Sequence, residues 1–154
     1  MEYFWRSIDF LKNTLINNKK GINNIFILFH QVICWTNNKY ISPFSNSIHN
    51  KAKKVNYWSV IAPILKNTEK PVYLFAGDVG AFSKEYRKKD HIIEYTYFKQ
   101  NTITYIATGM GGGVRDNFVI VDVLKDGTVN FRLIHLNGDN MYDLGKLEDY
   151  NRTK

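Results

Sequence analysis

Two apolar runs in this chain each end on a side chain able to bind a cation. IFILF, residues 25–29, is followed by His30, and VYLFAG, residues 72–77, is followed by Asp78. An imidazole nitrogen and a carboxylate oxygen are both ligands for divalent transition metals. The bland readings stand beside this one: a buried histidine bonded to backbone groups, and an aspartate that caps a turn or helix after a strand. A third feature is Gly109-Met110-Gly111-Gly112-Gly113. Its backbone N–H groups could close on an anion, or it is a turn that needs positive φ. It is not a dinucleotide fingerprint, because Val114 stands where the last glycine belongs and a strand pattern follows where a helix should. Lys51, Lys53 and Lys54 form a short basic cluster that could steer a phosphorylated substrate. His30 and Asp78 are thus the candidate metal ligands, and Gly111, Gly112 and Lys51 the candidate substrate contacts. His49, His91 and His135 fit surface or packing roles, and Arg115 with Asp116 fits a hairpin ion pair.

The elements that would position these residues follow from periodicity. Phe4, Ile8, Leu11 and Leu15 recur on one face and predict a helix over 3–16, ended by Asn17, Asn18 and Gly21. The run 25–30 predicts a strand buried on both faces, hence a parallel or mixed sheet. Residues 36–56 are polar and predict a long surface loop. Residues 57–66 predict a helix with Trp58, Ile61, Ile64 and Leu65 on one side, shortened or kinked by Pro63. Residues 71–77 predict a second buried strand. Helix, strand, helix, strand is the layout of parallel strands joined by a crossover, and ligands in such sheets bind beyond the carboxyl ends of the strands. If the two strands are neighbours, His30 and Asp78 meet on one rim.

The second half changes character. Ile93, Tyr95 and Tyr97 alternate over 92–98, and Ile103, Tyr105 and Ala107 over 102–108. The runs 117–124 and 128–136 flank Asp126-Gly127, a tight-hairpin signal. Together they predict an antiparallel meander with one wetter face, and the polar tail from Asn137 to Lys154 is expected to wrap the surface.

Bulk properties bound the classes. The 154 residues fit a single domain over 1–154, and 44% apolar content is enough to bury a core. The one cysteine, Cys34, excludes an internal disulfide and a metal knuckle. No apolar stretch is long enough for a membrane-spanning helix, and the first ten residues show no signal-peptide pattern. A cytoplasmic chain is therefore expected if Met1 is the native start. The net charge of +7 lies wholly in residues 1–70, with 10 Lys/Arg against 3 Asp/Glu. A basic nucleic-acid-binding domain ranks last among the readings, because the aromatics alternate as core residues and do not interleave with the lysines. There is no HExxH, P-loop or nucleophile elbow.

The run IFILFHQVICW resembles the strand of calcineurin-like metallophosphoesterases that ends in a metal-binding His. VYLFAGDVGAF sits where that family has its final Gly-His-x-His motif, and IATGMGGG, DNFVIVDV and LGKLEDY resemble the C-terminal stretch of a bacterial branch. The helix WRSIDFLKNTL resembles the one preceding the His strand. The resemblance implies an α/β fold, a mixed β-sheet with flanking helices like the C-terminal half of the metallophosphoesterase sandwich. It implies hydrolysis of phosphoric esters at two divalent metal ions (Mn, Fe or Zn), spaced about 3.5–4 Å apart, that clamp the phosphoryl group. Position by position, His30 matches a metal ligand, Asp78 stands for the first His of the final motif, and Gly80 for the second. The family's earlier Asp-x-His, Gly-Asp and Asn-His motifs would lie upstream of Met1. Two ligands fall short of the three or four that a closed site needs, so the resemblance implies a partial metal-dependent phosphatase, weak or inactive alone. The alternative is a non-catalytic interaction domain on the same scaffold. A half-sandwich of either kind should expose an apolar edge, and a homo-oligomer or a complementary N-terminal half is the expected partner.

Overall fold

The computed structural model describes residues 2–17, 20–29, 57–77, 85–88, 91–109 and 116–150. The fold is mixed α/β. Helix α1 spans Glu2–Asn17, and strand β1 spans Ile25–Phe29. A π-helical turn, Tyr57–Ile61, runs into a short helix α2, Ala62–Lys66, and then strand β2, Val72–Ala76. Seven further strands follow: β3 (Glu85–Lys88), β4 (His91–Glu94), β5 (Thr96–Gln100), β6 (Ile103–Ala107), β7 (Asp116–Val123), β8 (Val129–Asn137) and β9 (Asn140–Lys146). A 3₁₀ turn, Leu147–Tyr150, comes last.

The central sheet has the order β1-β2-β6-β5. β1, β2 and β6 are parallel, and β5 is antiparallel to β6. One face carries Ile27, Val72, Leu74, Ile103, Tyr105 and Ala107, and Leu15 of α1 with Tyr57, Ile61, Ala62 and Leu65 packs over it. The Tyr57 hydroxyl donates to the Tyr105 hydroxyl at 2.9 Å, deep in this layer. Phe98 stacks on Tyr105 with centroids 4.3 Å apart, a cross-strand pair on β5 and β6. The opposite face, with Tyr73, Phe75, Tyr97 and Ile106, packs on a second sheet of order β7-β8-β9 through Phe131, Leu133, Val119 and Val121. Helices, sheet and sheet make three layers. β3 and β4 pair as a separate antiparallel ribbon.

Several expectations are corrected by this arrangement. β1 is not buried on both faces. It ends the central sheet among the described residues, and Phe26 and Leu28 are 38% and 79% exposed. A continuous apolar run cannot tell an inner strand from an edge strand, because the run carries no information about a missing neighbour. β6 pairs antiparallel with β5 as the meander reading expected, but it does not continue to β7. It inserts beside β2, parallel to it, and all five of its residues are buried. The segment 92–98 is two strands broken at Tyr95, although Ile93, Tyr95 and Tyr97 are all buried as the alternation required. The tail does not wrap the surface as a loop: β9 pairs with β8 through a turn at Gly138 and Asp139, and Leu147 is buried in the inter-sheet core.

Pro63 stands in the first turn of the second helix and bears on how that helix begins. Lacking an N–H, it cannot complete the helical ladder, and the wide π turn lies immediately before it. The wider turn shifts the buried face to Tyr57, Ile61, Ala62 and Leu65, so Tyr57 enters the core and Ile64 is only half-buried. The β7–β8 connection keeps the expected Asp126-Gly127. The Gly127 N–H donates to the Leu124 carbonyl at 2.9 Å and the Leu124 N–H to the Thr128 carbonyl at 2.8 Å. Gly127 takes φ +88°, the left-handed residue that closes a three-residue hairpin loop.

Candidate rim site

β1 and β2 pair in register, Phe29 beside Ala76, and β2 pairs with β6 so that Ala76 lies beside Ala107. The three parallel strands therefore finish side by side. The Thr108 N–H extends the row by donating to the Ala76 carbonyl at 3.1 Å. His30 follows β1 directly, Asp78 follows Gly77 after β2, and Gly111 and Gly112 follow Gly109 after β6. The positions 30, 78, 111 and 112, and Lys51, lie outside the described residues, as do Cys34, His49, Arg115 and the loop 36–56. What is described is the rim from which four of the five candidate positions are approached.

The second sheet adds polar groups to that rim. A Cβ built on Gly109 would lie 3.3 Å from Asp116 Oδ1 and 3.4 Å from Asn117 Nδ2, so the end of β6 touches the start of β7. Along the inward face of β7 and β8, Val121 faces Phe131, Val119 faces Leu133, and Asn117 faces His135. The apolar inner face thus turns polar at the end nearest the rim. Asn117 and His135 are 6% and 3% exposed, and the His135 ring lies 5.8 Å from that of Tyr142 on β9, tilted by 30°. Burying polar side chains is favourable only with hydrogen bonds, and Asn117 Oδ1 is buried with no hydrogen-bond partner among the described residues, so this end of the inner face carries an uncompensated polar atom.

His135 was expected on the surface or in a packing role, and it is buried. Asn117 was not singled out by sequence at all. The signal was present: in DNFVIVDV and VNFRLIHLN, Asn117 and His135 fall in phase with the inward Val119, Val121, Phe131 and Leu133, where an apolar residue is the default. A polar residue in an inward register position marks either a satisfied polar cluster or a site.

In the inter-sheet layer, burial pushes the Tyr97 phenol up to about 12, with the Glu148 carboxylate and then Tyr73 adding to it. Tyr73 is raised for the same two reasons, burial first and Glu148 second. Both effects hold these hydroxyls protonated, which suits hydrogen bonding in a core and supplies no base.

Among the described residues there is no group of three or more His, Cys, Asp and Glu that could hold a metal ion. The described residues therefore do not form a metal centre by themselves. No helix among them is long and apolar enough to cross a membrane. No protein-family model, curated protein or solved structure matches the chain.

Proposed function

We propose that the chain carries part of a metal-dependent phosphoric-ester hydrolase site of the calcineurin-like kind, incomplete and weak or inactive alone. One observation carries the reading. β1 and β2 are adjacent, parallel and in register, so the segments bearing His30 and Asp78 begin at neighbouring points of one rim. In open α/β sheets that rim is where ligands bind. Gly109 brings the glycine run to the same rim from β6, where backbone N–H groups would meet a phosphoryl oxygen. Lys51 would add long-range attraction for a phosphorylated substrate. His30 and Asp78 would hold one divalent ion, Mn, Fe or Zn, through nitrogen and oxygen. Two donors are too few for tight binding, and a complementary segment would have to supply the rest.

The test is calorimetric titration of Mn²⁺ and Zn²⁺ into the chain and into His30→Ala and Asp78→Ala. Weak binding that falls at least about tenfold in both variants is expected. Equal binding in all three proteins would remove the reading.

A second reading, a non-catalytic interaction domain, is favoured by a different feature: Phe26 and Leu28 lie exposed on β1, which ends the central sheet among the described residues. Apolar surface of that kind marks contact with another protein surface. It is separated from the first by the same titration, since it requires no metal effect at positions 30 and 78.

A further inference from the structure

The chain has two steps at which an Asn or Asp precedes a glycine, Asp126-Gly127 and Asn137-Gly138. At such a step the glycine has no side chain to shield its nitrogen, so that nitrogen can close a succinimide ring on the preceding side chain. Both steps sit in hairpin turns, and the fold treats them oppositely. At the β7–β8 turn the Gly127 N–H donates to the Leu124 carbonyl at 2.9 Å, and Asp126 Oδ1 accepts the Thr128 N–H at 2.9 Å. The Thr128 N–H holds the Asp126 carboxyl below its usual range, hence charged. Both reacting groups are engaged there, and a carboxylate is a poor electrophile.

The β8–β9 turn has neither restraint. Asn137 and Asn140 form its closing pair, so the loop is Gly138 and Asp139 alone. Gly138 takes φ +58° and Asp139 is not left-handed, the arrangement with glycine first in the turn. Residues 137–140 are all exposed, and a Cβ placed on Gly138 would meet nothing within 4 Å. Among the described residues the Gly138 N–H makes no backbone hydrogen bond. β9 pairs only with β8 there, and the tip of such an edge hairpin opens at low cost. Brief opening lets the Asn137 side chain swing onto the Gly138 nitrogen, a movement that the bonded β7–β8 turn resists.

We infer that Asn137 is a site of spontaneous deamidation, and that its isoaspartyl product loosens β9 beside the polar inner end of the second sheet. The Gly138 nitrogen gives up its proton and bonds to Cγ of Asn137. The Cγ–Nδ2 bond breaks, and Nδ2 leaves as ammonia. Water then opens the succinimide: attack at Cγ yields aspartate, and attack at the backbone carbonyl carbon yields isoaspartate, whose chain runs through Cβ and Cγ. Water enters and ammonia leaves, with no oxidant, reductant or cofactor. Either product lowers the net charge of +7 by one unit. Only isoaspartate lengthens the backbone, by one carbon, and a two-residue turn with a fixed closing pair has no room for it. The Asn137–Asn140 pair is then lost. The next hydrogen-bonded pair of the antiparallel ladder is His135 with Tyr142. The Tyr142 ring lies 5.8 Å from that of His135, which is 3% exposed, so loosening at this point admits water to a buried imidazole. The step is independent of the hydrolase reading, because no metal or substrate takes part in it.

Incubation of the whole chain in mildly alkaline buffer, folded and in parallel in urea, tests it by peptide mass mapping, with an isoaspartate-specific methyltransferase to tell the two products apart. In the folded chain the peptide bearing Asn137 should gain the mass of amide-to-acid conversion, faster as pH rises because the attacking nitrogen must lose its proton. Asn137→Gln, which must close a larger ring, should convert at least about tenfold more slowly. Asp126-Gly127 should stay unchanged in the folded chain and form isoaspartate in urea, where its turn is gone. Hydrogen exchange should then find the Tyr142 amide at least about tenfold faster in the isoaspartyl form. Asn137→Asp, with the same charge on an ordinary backbone, should leave that amide as it was. No conversion at 137 in the folded chain, isoaspartate at 126 as fast as at 137, another asparagine converting first, or equal Tyr142 exchange in the isoaspartyl form and Asn137→Asp would each overturn the inference.

Discussion

The two faces of the central sheet are closed by different means, and the difference shows at β1. On one face, α1 and the 57–66 helical segment seal Val72, Leu74, Ile103 and Tyr105 almost completely. The 57–66 segment lies on the connection between the parallel β1 and β2, which must return across one face of the sheet, and α1, which precedes β1, packs on the same face through Leu15. On the other face, the cover is the β7-β8-β9 sheet, which follows the central sheet in sequence. That sheet, with Leu147 of the turn after it, buries Tyr97 and Ile106 and half-covers Tyr73 through Phe131 and Leu133, but it stops short of Leu28. Local connections seal a face by default. A separately formed layer seals only as far as its own width, and Leu28 is left exposed beyond it.

If both layers belong to one cooperative unit, truncation in either should unfold the whole. Leu65→Ala beneath the helices and Leu133→Ala between the sheets each remove a fully buried side chain. Each should cost about 2–5 kcal/mol in denaturant-induced unfolding. Far-ultraviolet and near-ultraviolet circular dichroism should report coincident transitions. Separate transitions for Leu133→Ala would show that the second sheet folds apart from the first.

The next effect belongs to the inter-sheet layer alone. Tyr97 ionises near 10 in an unfolded chain and at about 12 in the folded one, burial being the first cause and Glu148 the second. The folded state thus holds the proton more tightly. Stability is whole below pH 10 and is lost as pH rises from 10 through 12. Tyr97→Phe should flatten that loss in melting curves taken across the window, and an unchanged slope would mean that Tyr97 is not the group responsible.

Much of the fold was legible because it rests on local patterns. The spacing of Ile8, Leu11 and Leu15, the two apolar runs that became β1 and β2, the alternation through Ile93, Tyr95 and Tyr97, and Asp126-Gly127 all describe neighbours along the chain. What was misread depended on partners far away in sequence. Ile103–Ala107 alternates like a meander strand, yet its place beside β2 is decided by pairing with residues some thirty positions earlier. The sequence of β9, NMYDLGK, has a polar surface face and too few apolar residues to announce a strand, and its partner β8 supplies the ladder. Of the rim, the convergence of β1 and β2 was legible from a βαβ layout. The phase of Asn117 and of His135 was legible in each strand, but that the two stand opposite one another as a polar inner end needs the register of both strands.

Smaller effects test how each layer is tuned. The Tyr57 and Tyr105 hydroxyls share a 2.9 Å hydrogen bond beneath the helices. Tyr57→Phe keeps the ring and its edge-on contact with Tyr105, 5.9 Å between centroids, and should cost about 1–2 kcal/mol for the hydroxyl alone. Gly127 at the β7–β8 turn sits at φ +88° with Asn23 close by, and Asn24 Nδ2 donates to its carbonyl at 2.8 Å, tying the second sheet to the start of β1. Gly127→Ala forces a Cβ into the left-handed region and should cost about 1–2 kcal/mol.

The smallest change is expected where the two covers differ most. Leu28 contributes a large apolar side chain to a strand in the middle of a core pattern, yet most of its surface faces solvent. A residue so placed stabilises the monomer little, so Leu28→Ala measured at low protein concentration should shift the unfolding free energy by no more than about 0.5 kcal/mol. Its neighbour Ile27, turned to the helix-covered face, is packed against the first core. Ile27→Ala should therefore cost several times as much. Two adjacent residues of one apolar run would then differ because one face of β1 is closed by the crossover and the other is not. Equal costs at 27 and 28 would mean that the exposed face of β1 is covered in solution even when the chain is dilute.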